Sequence, residues 1–443
     1  MATPRLTAVL GASVVVAPLL AACSRGSSTP ALYDAGAVVH PTLGTDPTLC
    51  RGASASPSAD AAAQTSVAAP PALRLPADLA LETLASVPSA RELAALPNGD
   101  LLVATEGTVV YLVPHAEEAG LSGAPIAFAK LPDGPAQGIV FAASSCTVYV
   151  ATPSAIYAMP YVDGQTSAAV GAPIAKVRTG PIAPNSDGDV HVTTSLGFAQ
   201  GSLFAGVGSS CNACTEADPT RATIQQMAPD GAQMQTRATR FRNAIAFATN
   251  PRTGTLWSGG AGQDGLPIGH PYEFMDAVTS HAGVADYGWP ACEENRTAYQ
   301  GGADCASTVA PLVALPAYST LIGAVFYPDT GPNADAGAGA LTHALPMTYR
   351  GALLVTAHGA WHQTGDRFYS PPRVAMVAMN GDAPAVPVDW NNPERQWTEL
   401  IGGFQLADGV TRVGRPTGIA VGARGSLFVA DDQNGLVYRI RAR

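Results

Sequence analysis

The sequence predicts an all-β fold, a six-bladed β-propeller preceded by a signal peptide and a disordered tether. Three observations lead there. A strand–turn–strand pattern, clearest in "GSLFVADDQNGLVYRIR" from Gly425 to Arg441, recurs along the chain. No long amphipathic helix pattern separates the copies. Six such units close radially without leaving edge strands open. A β-sandwich with added strands is the alternative for the same pattern.

The first segment, residues 1–22, is an export signal. Arg5 precedes an apolar run from Leu6 to Ala22 that is too short and too rich in Ala and Gly to span a membrane. Leu20-Ala21-Ala22-Cys23 resembles the bacterial lipobox, which implies cleavage before Cys23 and acylation of its sulfur. The expected location is therefore outside the cytoplasm, periplasmic or at the cell surface, with the lipid on Cys23 holding the chain to a membrane. A soluble secreted protein with a chance cysteine is the alternative. Residues 23–72 are dominated by Ala, Ser, Pro, Thr and Gly without periodicity and read as a flexible tether. Residues 73–443 form the propeller. No later stretch of about 20 residues is continuously apolar, so no transmembrane helix is expected.

Without Cys23, six cysteines are left: Cys50, Cys146, Cys211, Cys214, Cys292 and Cys305. An even number in an exported chain favours disulfides. Cys292–Cys305 can close one loop and Cys211–Cys214 can pair locally, with Cys50–Cys146 as the remainder, although all pairings are formally open. Cys211-x-x-Cys214 has no following His for haem and no second ligand pair for zinc, which leaves a structural disulfide or redox chemistry. The 24 basic against 34 acidic residues argue against nucleic acid as a partner. Only two of the basic residues, Lys130 and Lys176, are lysines.

The hairpin of residues 425–441 has a full counterpart in "NGDLLVATEGTVVYLV" (98–113) and in "SSCTVYVATPSAIYAM" (144–159). "QGSLFAGVGSS" (200–210), "TGTLWSGGAG" (253–262) and "RGALLVTAHG" (350–359) repeat its first half. The turns fall near 99, 145, 201, 254, 351 and 425, and the interval from 254 to 351 leaves room for a long insertion. Propellers concentrate function on the loops around one mouth of the central channel. The long insertions and the polar residues beside the repeated strands are therefore the places to look, and His191 sits just before an apolar strand, where its side chain could face the channel.

Taken together, "RFRNAIAFATNPRTGTLWSGGAGQDGLPIGHPYEF" (240–274), "ADYGWPACEEN" (285–295), "LLVTAHGAWHQ" (353–363) and "GRPTGIAVGARG" (414–425) resemble the quinoprotein glucose/sorbosone dehydrogenase family. The resemblance covers most of residues 72–443. It implies oxidation of a sugar or sugar aldehyde with pyrroloquinoline quinone and calcium as cofactors. His191 would be the base that removes a hydroxyl proton, a role that suits a near-neutral imidazole. Arg242, Asn243 and Arg415 would hold the quinone, whose three carboxylates suit the arginine fork. Gly262 and Gln263 would offer backbone carbonyls to the active-site calcium. Glu273, through its carboxylate, and Tyr287, through main chain, match a nearby structural calcium site. Trp289 and Trp361 would stack on the flat cofactor or pack blade ends, and Asp264 and Asp276 could be loop solubilisers.

One departure matters. Glucose-oxidising members of that family place a lysine near the quinone, in the strand that here ends at His358, and this chain has no lysine after Lys176. His358 or Trp361 must substitute if the cofactor binds in the same way. His358 and His362 also have the i, i+4 spacing of helical zinc proteases, but they lack the Glu after the first His and lie in a β context. A calcium-dependent propeller hydrolase, lactonase-like, and a non-catalytic glycan- or partner-binding propeller are the competing functions. With no haem motif in the chain, electrons would leave to a separate acceptor, a cytochrome or a quinone pool.

Overall fold

Short apolar strands assemble four at a time into six antiparallel sheets in the computed structural model. The structure describes Cys50 and residues 68–70, 72–118, 123–178, 191–329, 343–361, 363–364 and 367–443. The signal peptide, Cys23, most of the tether and His362 lie outside the described residues. Among those described, no helix is long and apolar enough to cross a membrane.

In chain order the innermost strands of the six blades are Ala90–Ala95, Gly138–Ala142, Thr194–Ala199, Ala244–Thr249, Leu321–Phe326 and Pro416–Val421. Each neighbours the next, and the last returns to the first, so the sheets form a closed ring. Blade 6 is completed by the beginning of the domain. Leu79–Ser86 pairs antiparallel with Leu436–Ala442, from Leu79 opposite Ala442 to Ser86 opposite Leu436. Joining the two ends of the domain in one sheet removes the exposed edge that an open ring would present.

The repeated turns of the sequence are the loops from inner to second strand. Gly99 and Gly425 adopt φ of 91° and 95° there, a region in which any other side chain is strained. Blade 2 fills the same position with Cys146 at φ 47°, bonded to Cys50. Side chains between the sheets form six apolar clusters, one in each seam between neighbouring blades. Leu102, Val110 and Leu112 of blade 1, for example, meet Ile139, Val148 and Val150 of blade 2. Burial of that kind, at about 25 cal/mol per Å² of apolar surface, holds the ring together. The disulfides are Cys50–Cys146, Cys211–Cys214 and Cys292–Cys305.

Inner strands of a propeller all run the same way. The residues that precede them therefore share one rim with the loops from second to third strand. That rim collects His191 before blade 3, Arg242 and Asn243 before blade 4, and Arg415 before blade 6. It also collects Gly262, Gln263, His358 and Trp361 from second-to-third-strand loops. Between the third and fourth strands of blade 4 lies the long insertion, residues 277–312. Its segment Ala285–Asp286 pairs parallel with Gln235–Thr239, which carries Tyr287 back to the same rim.

Candidate active site

Blades 3 and 4 approach each other through glycine. A Cβ on Gly208 of blade 3 would lie 2.5 Å from His191 Cβ and 2.7 Å from Asn243 Oδ1 of blade 4, and within blade 4 one on Gly260 would lie 1.8 Å from the Asn243 carbonyl oxygen. Only glycine permits this packing, and it brings His191 and Asn243 together. Asn243 is buried and its Oδ1 has no hydrogen-bond partner. Arg242 is also buried. It donates from Nε to the Asn212 carbonyl (3.1 Å), and from Nη2 to Asn212 Oδ1 (2.9 Å) and Asp264 Oδ2 (3.3 Å).

His191 Nδ1 lies 2.8 Å from Ser209 Oγ, and Ser209 Oγ donates to the Cys211 carbonyl at 2.7 Å. A hydroxyl has one hydrogen, so toward the imidazole it can only accept. The proton is thereby assigned to Nδ1, and Nε2 keeps the basic lone pair. Burial, with Arg242 and Arg221 nearby, pushes the ring's pKa down to about 3, so it is neutral at physiological pH.

The second centre lies behind the Gly262 loop. The Gly262 and Thr320 backbones lie beside the Glu273 carboxylate, and the Gln263 backbone lies beside Glu293. A Cβ on Gly262 would stand 3.3 Å from Glu293 Oε2, so both carboxylates border this glycine. Burial raises Glu273 well above the usual carboxylate range and Glu293 to about 8. Glu273 Oε2, Glu293 Oε1 and Gln263 Oε1 are buried without hydrogen-bond partners. Glu273, Glu293, Tyr287 and the Gly260–Gly262 backbone line a cavity of about 10 Å³, roughly what one water or one small ion needs. The orphaned oxygens of Glu273 and Glu293, both of which line this space, fit a hard cation that prefers oxygen ligands, calcium above all. Tyr287 is held by its own N–H to the Thr239 carbonyl (3.1 Å) and by its hydroxyl to Asp276 Oδ2 (2.7 Å).

The third part of the rim belongs to blades 5, 6 and 1. His358 Nε2 lies 2.9 Å from both oxygens of Asp432. Arg91 Nη1 lies 2.6 Å from Asp432 Oδ2 and compensates that carboxylate. Burial outweighs Asp432 and lowers the His358 pKa to about 4, so His358 is a neutral donor here. The cation at this place is Arg91. Arg415 donates from Nε to the His358 carbonyl (3.1 Å) and from Nη2 to the Gly359 carbonyl (3.0 Å). The His358 N–H donates to the Thr320 carbonyl at 3.1 Å. Trp361 stands at the rim, 68 % exposed. Trp289 is buried, with Nε1 donating to the Asn212 carbonyl at 3.0 Å.

Sequence reasoning missed Ser209, Asn212, Glu293, Arg91 and Asp432, and it read Asp264 and Asp276 as loop solubilisers. Asp264 pairs with Arg242, and Asp276 is fully buried, taking hydrogen bonds from Tyr287 and the Leu312 N–H. Asp431-Asp432 directly follows the last repeated strand, a position that could have flagged it. Glu293 carried no local signal.

A family model described as TrAA12-like matches residues 275–443. An uncharacterized protein of Borreliella burgdorferi is 23% identical over 203 residues, covering 45% of this chain and 46% of its own, so the match spans about half of that relative. A Trichoderma reesei structure of Carbohydrate-Active Enzymes Family AA12 superposes with TM-score 0.65 at 17% identity, over 86% of this chain and all of that one. The pyranose dehydrogenase PQQ domain from Coprinopsis cinerea, in holo form, gives TM-score 0.63 at 16% identity, over 87% and 99%. The PQQ-bound aldose sugar dehydrogenase from Streptomyces coelicolor gives 0.53 at 19% identity, over 84% and 100%. These likenesses show the propeller fold that the sequence predicts.

Proposed function

We propose that the protein is a pyrroloquinoline quinone- and calcium-dependent dehydrogenase of sugars or sugar aldehydes. The observation that carries this reading is the neutral His191 ring, with Nε2 as its basic atom, packed against Asn243 beside Arg242. Arg242 and Arg415 would hold carboxylates of the quinone, with Asn243 Oδ1 as a buried acceptor beside them. Gln263, Glu273, Glu293 and Tyr287 border the place for calcium. His358 orients Asp432 and Arg91, and Arg91 is the cation where the family's lysine is missing. Trp361 offers a ring at the rim.

The quinone, when bound, supplies the carbonyl that accepts a hydride, and calcium supplies positive charge. His191 Nε2 takes the hydroxyl proton of the sugar, and its Nδ1–H stays on Ser209 Oγ throughout. The buried setting keeps the imidazole unprotonated and ready for that step. A separate electron carrier then takes the electrons, and the lipid on Cys23 keeps the chain at a membrane outside the cytoplasm.

A second reading has one observation in its favour. Two buried carboxylates around one cation site also suit a calcium-dependent hydrolase acting on lactones. Reconstitution separates the two. Purified protein is mixed with quinone and calcium, and reduction of a dye by a panel of aldoses is followed. Dye reduction that needs both additions supports the dehydrogenase. No quinone binding by absorbance or fluorescence defeats it, and lactone hydrolysis with calcium alone would put the hydrolase in its place.

A further inference from the structure

We propose that Asn212, held in the four-residue ring closed by Cys211–Cys214, positions both Arg242 and the Asp264 loop, and that the ring sets the tautomer of His191. Breaking the disulfide would then disable the site. The proposal rests on the reading of Arg242 and His191 given above.

The ring sits where blades 3 and 4 meet. The Asn212 carbonyl accepts from Arg242 Nε (3.1 Å) and from Trp289 Nε1 (3.0 Å). Asn212 Oδ1 accepts from Arg242 Nη2 (2.9 Å) and from the Asp264 N–H (2.7 Å), and Asn212 Nδ2 donates to the Asp264 carbonyl (2.8 Å). One side chain thus fixes the direction of the guanidinium and anchors the loop that carries Gly262 and Gln263. Its neighbour in the ring acts on the base. The Cys211 carbonyl takes the hydrogen of Ser209 Oγ, which forces that hydroxyl to accept from His191 Nδ1. Cys211 packs with Ala222 and Trp289 in a small apolar cluster, with Cys214 against it.

Cys211 is buried and Cys214 half-buried, so a dithiol attacks at Cys214 Sγ. The S–S bond breaks, two thiols form, and the dithiol supplies two electrons and two protons as it closes to its own disulfide. A relaxed ring no longer fixes the Asn212 and Cys211 carbonyls. Ser209 Oγ, without its acceptor, can turn its hydrogen onto His191 Nδ1. The ring proton then moves to Nε2, and the base becomes a donor at the atom that should accept.

The test uses the full chain with Cys211→Ala/Cys214→Ala, Asn212→Ala and Asn212→Asp. Two quantities are read: the affinity for pyrroloquinoline quinone in the presence of calcium, and the ring-nitrogen ¹⁵N shifts of His191 in quinone-free protein. The double cysteine variant and Asn212→Ala should bind quinone at least about tenfold more weakly, the loss expected for a charge-assisted contact. Asn212→Asp keeps the acceptors for Arg242 but loses the donor to the Asp264 carbonyl, so it should restore only part of that affinity, a partial rescue that a mere packing role would not predict. In the double variant the His191 proton should shift from Nδ1 toward Nε2. Melting should change little, because closing so short a ring removes little chain entropy. Unchanged affinity and an unchanged tautomer in a folded double variant overturn the proposal. If that variant does not fold, the Asn212 pair decides. If wild type takes no quinone, the functional reading fails and the His191 tautomer in the double variant or in dithiol-treated protein decides alone.

Discussion

His191 and Ser209 are joined by a hydrogen bond whose direction is dictated from outside the pair. Ser209 Oγ gives its hydrogen to the Cys211 carbonyl, so His191 Nδ1 must donate, and the basic atom of the ring is Nε2. Replacing His191 by Gln retains a hydrogen-bonding group but nothing that accepts a full proton. The turnover rate should fall roughly 10²–10⁴-fold, with quinone affinity nearly unchanged.

The same ring gives a pH prediction. With its pKa pushed down to about 3, chiefly by burial, His191 keeps its lone pair well below the pH at which a free imidazole would lose it. The acid limb of kcat/KM due to this group should therefore lie below pH 5, and a limb near 6.5 would count against His191 as the base. Stability follows the linked sign. Across the interval from about 6.5 down to about 3, the unfolded chain binds a proton at this ring that the folded chain refuses. Folding stability should decline as pH falls through that interval, and less steeply in His191→Gln, as thermal melts at several pH values will show.

Arg242→Ala should reverse the pattern of the histidine variant. The arginine is buried and hydrogen-bonds Asn212 twice and Asp264 once. Its loss removes the charged donor from Asn212 and Asp264, while the Asn212 carbonyl and Oδ1 keep the Trp289 and Asp264 N–H donors. Quinone affinity should drop first, by more than tenfold, and the rate at saturating quinone should fall less than in His191→Gln. A titration that finds wild-type affinity in Arg242→Ala would remove this residue from the cofactor site.

Anchoring can be tested apart from chemistry. Cys23→Ser should release the protein from the membrane fraction and leave the folded domain intact, because the lipid would sit on Cys23, the first residue of the tether. Recovery of the variant with membranes, as for wild type, would defeat the lipoprotein reading.

Much of the fold was legible because a propeller repeats itself. Each turn near 99, 145, 201, 254, 351 and 425 proved to be the inner hairpin of one blade, and short-range alternation suffices to find such hairpins. The ring closure was not legible. Leu79–Ser86 pairs with Leu436–Ala442 across nearly the whole domain, and no local pattern announces a partner so remote. The site divides in the same way. His191, Arg242 and Arg415 stand just before inner strands, where polar residues are conspicuous against the apolar strand that follows. Glu293 and Asn212 lie in loops whose positions are set by disulfides and by the insertion of blade 4, so their roles depend on contacts that spacing does not encode. The missing lysine had a similar fate. His358 turned out to be a neutral partner of Asp432, and Asp432 pairs with Arg91 from blade 1, at the far end of the domain sequence.

The carboxylates behind Gly262 give the last prediction, in which the sign of a mutation depends on calcium. Glu273 and Glu293 are both buried with raised pKa values, and each has an oxygen without a partner. In calcium-free protein such groups cost stability, since charge in a buried site is unfavourable unless compensated. Glu293→Gln removes one potential charge, keeps the shape and should leave the calcium-free protein as stable as wild type or more so. With calcium the order should invert. An ion that binds only the folded state stabilises it by about 2.7 kcal/mol at a hundred times its dissociation constant. A variant short of one carboxylate should lose most of that increment, and Glu273→Gln should behave alike. The measurement is the melting temperature of wild type and both variants after thorough chelation and again with millimolar calcium. Magnesium serves as the control, because it demands a tighter octahedron of oxygens and gives up its waters reluctantly. A wild-type melt that ignores both chelation and added calcium would leave Glu273 and Glu293 as protonated structural acids. The dehydrogenase reading would then lose the cation it needs.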